Sequence, residues 1–274
     1  MRNLLKADFR RIRKDKMLMI MLIIAGAFAV FTPGMYALIQ HFTGDLFEAL
    51  FPNNAYSKAH FFTAFTIGND VGLVVPILLA IVLCKDFSYG TIRNKIISGK
   101  SRAQIFLSLF ITCAAVMVAV MTIHALLTLG FSLIFFDYQA TAFTISDFWY
   151  LLESLVFILL TIVFYSALLS WLCASTKNVG IVIVLFVAIS LALMLIGSIT
   201  GAAYAIMEAT NANPRNTAIM HFVTRINLAN ASSYIGSGSA YSLEDALYLT
   251  IPALVGGAGF VGLGVLKFRK KDLK

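Results

Sequence analysis

Six apolar runs divide the chain, at about 17–39, 61–84, 103–136, 148–173, 178–207 and 246–266. At 1.5 Å of rise per residue, a helix of about 23 residues spans ~35 Å, more than the ~30 Å hydrocarbon core of a bilayer. Lipid offers no hydrogen bonds, so only helices or closed barrels can cross it. Barrel strands alternate apolar and polar residues over about ten positions, and these runs do not alternate. The pattern predicts an all-α polytopic membrane protein with six transmembrane helices. The third run is 34 residues long and must tilt, project from the bilayer or break near Gly130. Charged residues make up only 12% of the chain, against about 25% in a soluble domain. That is too little charge to cover a water-facing surface.

The distribution of Lys and Arg orients the spans. With the first segment inside, 18 of the 21 cations fall on inner segments, at 1–16, 85–102, Lys177 and 267–274. Only Lys58, Arg215 and Arg225 fall outside. The positive-inside rule therefore predicts cytoplasmic termini. A secretory signal peptide competes for the start of the chain, because residues 2–16 are basic and Ala27-Phe28-Ala29 resembles a cleavage site. The apolar run continues to Ile39 and the leader is long, so an uncleaved first span is the better reading.

Residues 1–16, "MRNLLKADFRRIRKDK", predict an amphipathic helix lying in the membrane interface. At 100° per residue Met1, Leu5, Phe9 and Ile12 fall on one arc. Arg2, Lys6, Arg10, Arg13 and Lys14 lie across from it. Such a helix sets apolar groups among acyl chains and cations against anionic headgroups. Asp8 and Asp15 flank the apolar arc, where Arg11 could pair with them at helical spacing. Residues 17–274 form a single transmembrane domain.

Few residues suggest chemistry. Asp70 and His124 sit deep in apolar runs, where an ionisable group is costly and usually faces protein or water. They are candidates for a translocation path, although a structural hydrogen bond explains them as well. Glu153 lies nearer the outer surface. His41, Asp45, Glu48 and His60 in the outer loop 40–60 lack the close pairing of a zinc site. Cys84, Cys113 and Cys173 have no CxxC spacing and read as small packing residues. Pro33-Gly34 predicts a kink in the first span. Residues 208–245 form the longest outer segment, with turns at 211–214 and 236–239. Ala253/Gly257 and Ala258/Gly262 have the small-xxx-small spacing of close helix contacts.

The inner segment 85–102 holds five cations and one acid. It contains Gly99-Lys100-Ser101, the tail of a phosphate-binding loop, but the first glycine of that motif is replaced by Asn94 and no soluble strand precedes it. A short helix over "TIRNKIIS" fits better. Ile92 and Ile96 share its face, Thr91 is placed to cap it and Gly99 to end it.

This segment resembles the membrane subunit of ABC-2 type exporters. The shared pattern is an acidic or polar residue, Gly-Thr, a short helix, then Ser/Gly-Lys-Ser-Arg opening the third span. Here it reads Asp86-Phe87-Ser88-Tyr89-Gly90-Thr91 and Ser98-Gly99-Lys100-Ser101-Arg102, with Asp86 where Glu is more usual. The resemblance implies that the inner helix is a coupling helix. Asp86, Gly90, Thr91, Ile92, Arg93, Lys95, Ile96, Gly99 and Arg102 would then contact a separate cytoplasmic ATPase subunit, present in two copies. It further implies a second permease subunit as homodimer or close homologue, residence in the bacterial cell membrane, and ATP and Mg on the ATPase rather than on this chain. No nucleic acid and no cofactor of its own are expected. Export of an amphipathic peptide is the favoured activity, in keeping with 13% aromatic residues. An intramembrane protease or lipid-modifying transferase is the alternative, as is a non-transporting scaffold. An enzyme would need a nucleophile or metal with a partner at matching depth. The sequence has no HExxH, and "GSGS" at 236–239 has no evident partner.

Overall fold

The computed structural model describes residues 1–44, 46–51, 54–67, 70–88, 90–176, 178–210, 213–229, 235 and 240–270, without the side chains of residues 70, 88 and 270. Asp45, Tyr89, Lys177, residues 211–212, the 236–239 turn and the C-terminal tail 271–274 therefore lie outside the description, as does the side chain of Asp70. Among the described residues the chain is helical, with no strand. Five helices are long and apolar enough to cross a membrane: α2 (Lys16–Thr43), α7 (Arg102–Ser132), α8 (Ile145–Thr176), α9 (Val179–Ala209) and α11 (Leu243–Lys270). Between them lie α1 (Arg2–Lys14), α3 (Leu46–Leu50), α4 (Ser57–Thr63), α5 (Asp70–Ser88), α6 (Thr91–Ile97) and α10 (Pro214–Ile226).

The second apolar run is not one continuous helix. Its first residues belong to α4, the chain turns after Thr63, and α5 starts at Asp70. Gly72 permits this, since a Cβ there would collide with the Thr66 carbonyl of the incoming turn. The third run stays helical through Gly130 and ends at Ser132, so it does not break there. Pro33 lies buried within an uninterrupted α2. The segment 208–245 contains α10, which starts with Pro214 at its first turn and the Asn213 side chain capping the Arg215 amide at 3.0 Å. This is favourable helix-start chemistry.

The core runs along α7 and α8, which bury more than half of their apolar windows. Outer helices α2, α9 and α11 bury about a fifth, leaving Ile23, Val184, Ile199 and Val255 among many exposed apolar side chains. An apolar surface on this scale belongs in lipid. The protein is an α-helical membrane protein.

α11 lies against α8 along Ala253 and Gly257, with Phe164 over Gly256, and against α7 where Gly264 faces the Phe106 ring. The other small pair differs from expectation, since Gly262 has open space around it. The seam is 253, 256, 257 and 264, a helical spacing that brings backbone and ring close.

Candidate functional site: the short helix 91–97 and its charged seat

Helix α6 is set by its two glycines. Gly90 occupies the N-cap at φ 69°, so glycine and not Thr91 holds the capping position, and Thr91 is the first helical residue. At the other end Gly99 has φ 80°. Its amide donates to the Ile96 carbonyl at 2.9 Å, and the Lys100 amide donates to the Lys95 carbonyl at 3.2 Å. These two bonds form a Schellman stop. Ser101 then caps α7 in a reciprocal box with Gln104. The backbone N–H groups of Gly99, Lys100 and Ser101 are thus occupied by helix-end bonds, and cannot cradle phosphate as they stand. α6 is bent by 52° from α5.

The two faces of α6 differ. Ile92 is buried and Ile96 half-buried. They pack against Leu4 of α1, Ile105 and Phe106 of α7, Ala174 of α8 and Phe268 of α11. The helix is therefore seated on the end of its own bundle, and its outward face consists of Arg93, Asn94 and the 75%-exposed Ile97. Arg102 donates to the Arg269 carbonyl at 3.0 Å, which ties the start of α7 to the end of α11.

Beside this apolar seat lies a buried charged cluster. Lys95 reaches Asp8 at 2.7 Å and Asp86 at 3.4 Å. Arg11 closes on Asp86 as an ion pair rather than an aligned hydrogen bond. Ser108 of α7 donates to Asp8 at 2.6 Å. Asp8 and Asp86 are both buried. Burial lowers the pKa of Lys95, opposed by its hydrogen bond to Asp8. Burial likewise lowers that of Arg11, opposed by Asp8 and Asp15. At the next turn Asp15 caps α2 through the Met17 amide at 3.0 Å and pairs with Lys85 at 3.1 Å. Burial would raise the Asp15 pKa, but those donors together lower it.

The cluster revises the sequence reading of α1. Asp8 and Asp15 form hydrogen-bonded ion pairs with lysines of other segments, and Arg11 turns to Asp86. The buried face of α1 is Leu4, Asp8 and Ile12, while Met1 and Phe9 are exposed. Arg2, Lys6, Arg10, Arg13 and Lys14 remain exposed, so the helix is amphipathic about a rotated axis. Helical periodicity cannot count an acid as part of a buried face unless its partner is known. The signal available in advance was an acid centred between Leu4 and Ile12.

His124 is buried on α7, about 33 Å of helix from Arg102. Its Nδ1 bonds the Ala25 carbonyl at 2.9 Å. This partner on α2 lies nine residues, about 14 Å, beyond the start of that helix. A carbonyl only accepts, so Nδ1 carries the proton. His124 lines a cavity of about 310 Å³ together with Thr32, Tyr36, Asn54, His60, Thr63, Ala64 and Thr128. His60, which sequence reasoning left in a loop, is buried on α4 between Tyr36 and Phe136, with ring centroids at 5.2 and 5.0 Å. Burial drives its pKa down to about 4, opposed slightly by the nearby Asn54 backbone. That contact is not an aligned hydrogen bond, and no other described group makes one to the His60 ring nitrogens.

Glu153 is exposed on α8. The three cysteines are buried free thiols. No group of three or more His, Cys, Asp or Glu among the described residues could hold a metal ion.

No curated protein matches the chain. Residues 28–274, which include the whole 85–102 segment and every span except the first part of α2, match the family described as "Protein of unknown function (DUF2705)", and the chain belongs to that family.

Proposed function

We propose that the chain is the membrane subunit of an ABC-2 type exporter, driven by a separate ATPase that docks on α6. The observation that carries this reading is the design of α6. It is a short helix stopped at both ends by positive-φ glycines, seated on residues of α1, α7, α8 and α11, with Arg93, Asn94 and Ile97 turned outward. A push on that face would reach α1 and α7 through the Asp8–Lys95 and Ser108–Asp8 contacts, and α5 through Asp86. In this reading α5, at 19 residues or about 29 Å, is the sixth span. The basic segments 1–16 and 85–102 lie in the cytoplasm, α1 rests on the membrane interface, and two permease copies pair. The passenger is an amphipathic peptide, with ATP and Mg held by the partner. Asp70 and His124 are positions along its route.

The placement of Ile92 and Ile96 moves the docking anchor to Ile97, with Arg93 orienting it. The test is co-purification with the neighbouring gene product, which this reading expects to be an ABC ATPase. Truncating an apolar hot spot costs about 2 kcal/mol or more, roughly thirtyfold in affinity, and a rim charge costs less. Ile97→Ala is expected to weaken association about thirtyfold and Arg93→Ala a few-fold, with the chain still folded. Specific ATP binding by the purified chain alone, lost in Lys100→Ala, would refute the reading.

A further inference from the structure

The cavity between α2, α4 and α7 lies away from α6, and its lining is chemically one-sided. Seven of its eight lining residues are polar, and none is an acid, a lysine or an arginine. Thr63 spends its hydroxyl proton on the Ala59 and His60 carbonyls, at 2.9 and 3.1 Å. Thr128 spends its own on the His124 carbonyl at 2.9 Å, and His124 spends its Nδ1 proton on Ala25. These three groups offer the cavity acceptor lone pairs, while Tyr36, Asn54 and the neutral His60 ring bring O–H and N–H groups. His60 is 1% exposed and lies beside the Asn54 backbone, with no aligned hydrogen bond to either ring nitrogen among the described residues, which leaves a buried polar group poorly satisfied.

A volume of about 310 Å³ is at the small end of ligand pockets. With no countercharge in the wall, an ion would be poorly held. A wall that both accepts and donates favours an uncharged group that does the same, as a primary amide or an alcohol does. Helices α2 and α7 flank the cavity with exposed Phe31, Met35 and Leu127, a surface suited to an apolar tail.

We propose that this cavity binds the uncharged, hydrogen-bonding head group of an amphipathic molecule, such as a primary amide or alcohol, with His60 as its principal polar contact. The assignment goes beyond the exporter reading and stands whether or not the chain transports anything.

The test uses the full chain in phosphatidylcholine nanodiscs with a photoreactive, alkyne-tagged hexadecanamide. Saturable labelling is expected on peptides carrying 57–64 and 124–128. Excess hexadecanamide or hexadecanol should displace it, as a lipid-derived head would. An N-acetylated, C-terminally amidated trileucine should displace it if the head is peptide-derived. Displacement by either class supports the site and identifies its source. Hexadecanoate at pH 8 and hexadecane should displace at least tenfold less well. His60→Leu should reduce labelling about tenfold, and His60→Gln should restore most of it. Thr63→Val, a milder change at the exposed mouth, should reduce it a few-fold even if His60→Leu fails to fold. Equal competition by hexadecane, labelling unchanged in both Thr63→Val and His60→Leu, or no saturable labelling would each overturn the proposal. The last result would mark a water-filled recess.

Discussion

Removing the carboxylate of Asp8 separates a structural role for the charged cluster from a decorative one. Two acids (Asp8, Asp86) and two bases (Arg11, Lys95) make the cluster neutral. Asp8→Ala leaves one uncompensated positive charge in a site where Lys95 is 12% exposed, and deprives the Ser108 hydroxyl of its acceptor. Breaking one side of a buried pair costs about 3–5 kcal/mol. Arg11 is one-third exposed and can turn to solvent, so the lower figure, about 3 kcal/mol, applies. That corresponds to roughly a hundredfold rise in local opening. The assay is amide hydrogen exchange of residues 2–14 in nanodiscs, compared with exchange in α8 as an internal control. Asp8→Ala should speed exchange of α1 about a hundredfold and leave α8 unchanged. Asp8→Ala with Lys95→Met removes both charges and leaves the Arg11–Asp86 pair neutral. This double variant should be no worse than Asp8→Ala alone, because coupled sites are not additive. Exchange within threefold of the parent for Asp8→Ala, or strict additivity in the double variant, would refute the reasoning.

Three further outcomes follow from the same geometry. His60 has a folded pKa of about 4 against 6.5 when unfolded, so its contribution is present above pH 6.5 and lost as pH falls toward 4. From pH 7 to pH 5 this amounts to about 2 kcal/mol, and a titration of denaturant stability should lose that slope in His60→Gln. Gly264→Ala forces a Cβ into the buried Phe106 ring and should destabilise by about 1–3 kcal/mol, whereas Gly262→Ala, with open space around it, should not, as thermal unfolding in detergent would show. With the buried native cysteines replaced, single cysteines at Ala142 should react with impermeant thiol reagents on intact cells. Those at Lys14 and Ser98 should react only after the membrane is opened, and labelling of Ser98 on intact cells would reject the orientation. Ser57, despite its place in the predicted outer loop, is buried and bonds the Phe136 carbonyl at 2.9 Å, so it is no reporter.

Lipid as solvent explains what could be read directly from residue order. Apolar length suffices to recognise membrane helices, and five of the six runs appear as long helices. The stop at Gly99 was legible because helix ends depend on local backbone rules. Tertiary structure decided what depends on distant partners. Helical periodicity places Ile92 and Ile96 on one face but cannot say that Leu4, Phe106 and Phe268 cover it. It likewise cannot pair Asp8 with Lys95 across 87 residues, nor bring His60 of α4 to the same cavity as His124 of α7. The break in the second run needed the contact between Gly72 and Thr66. Within the bilayer nearly every side chain is apolar, so hydrophobicity determines which segments enter the membrane. Where they meet depends on close packing and a few buried polar pairs, whose partners lie far apart in the chain.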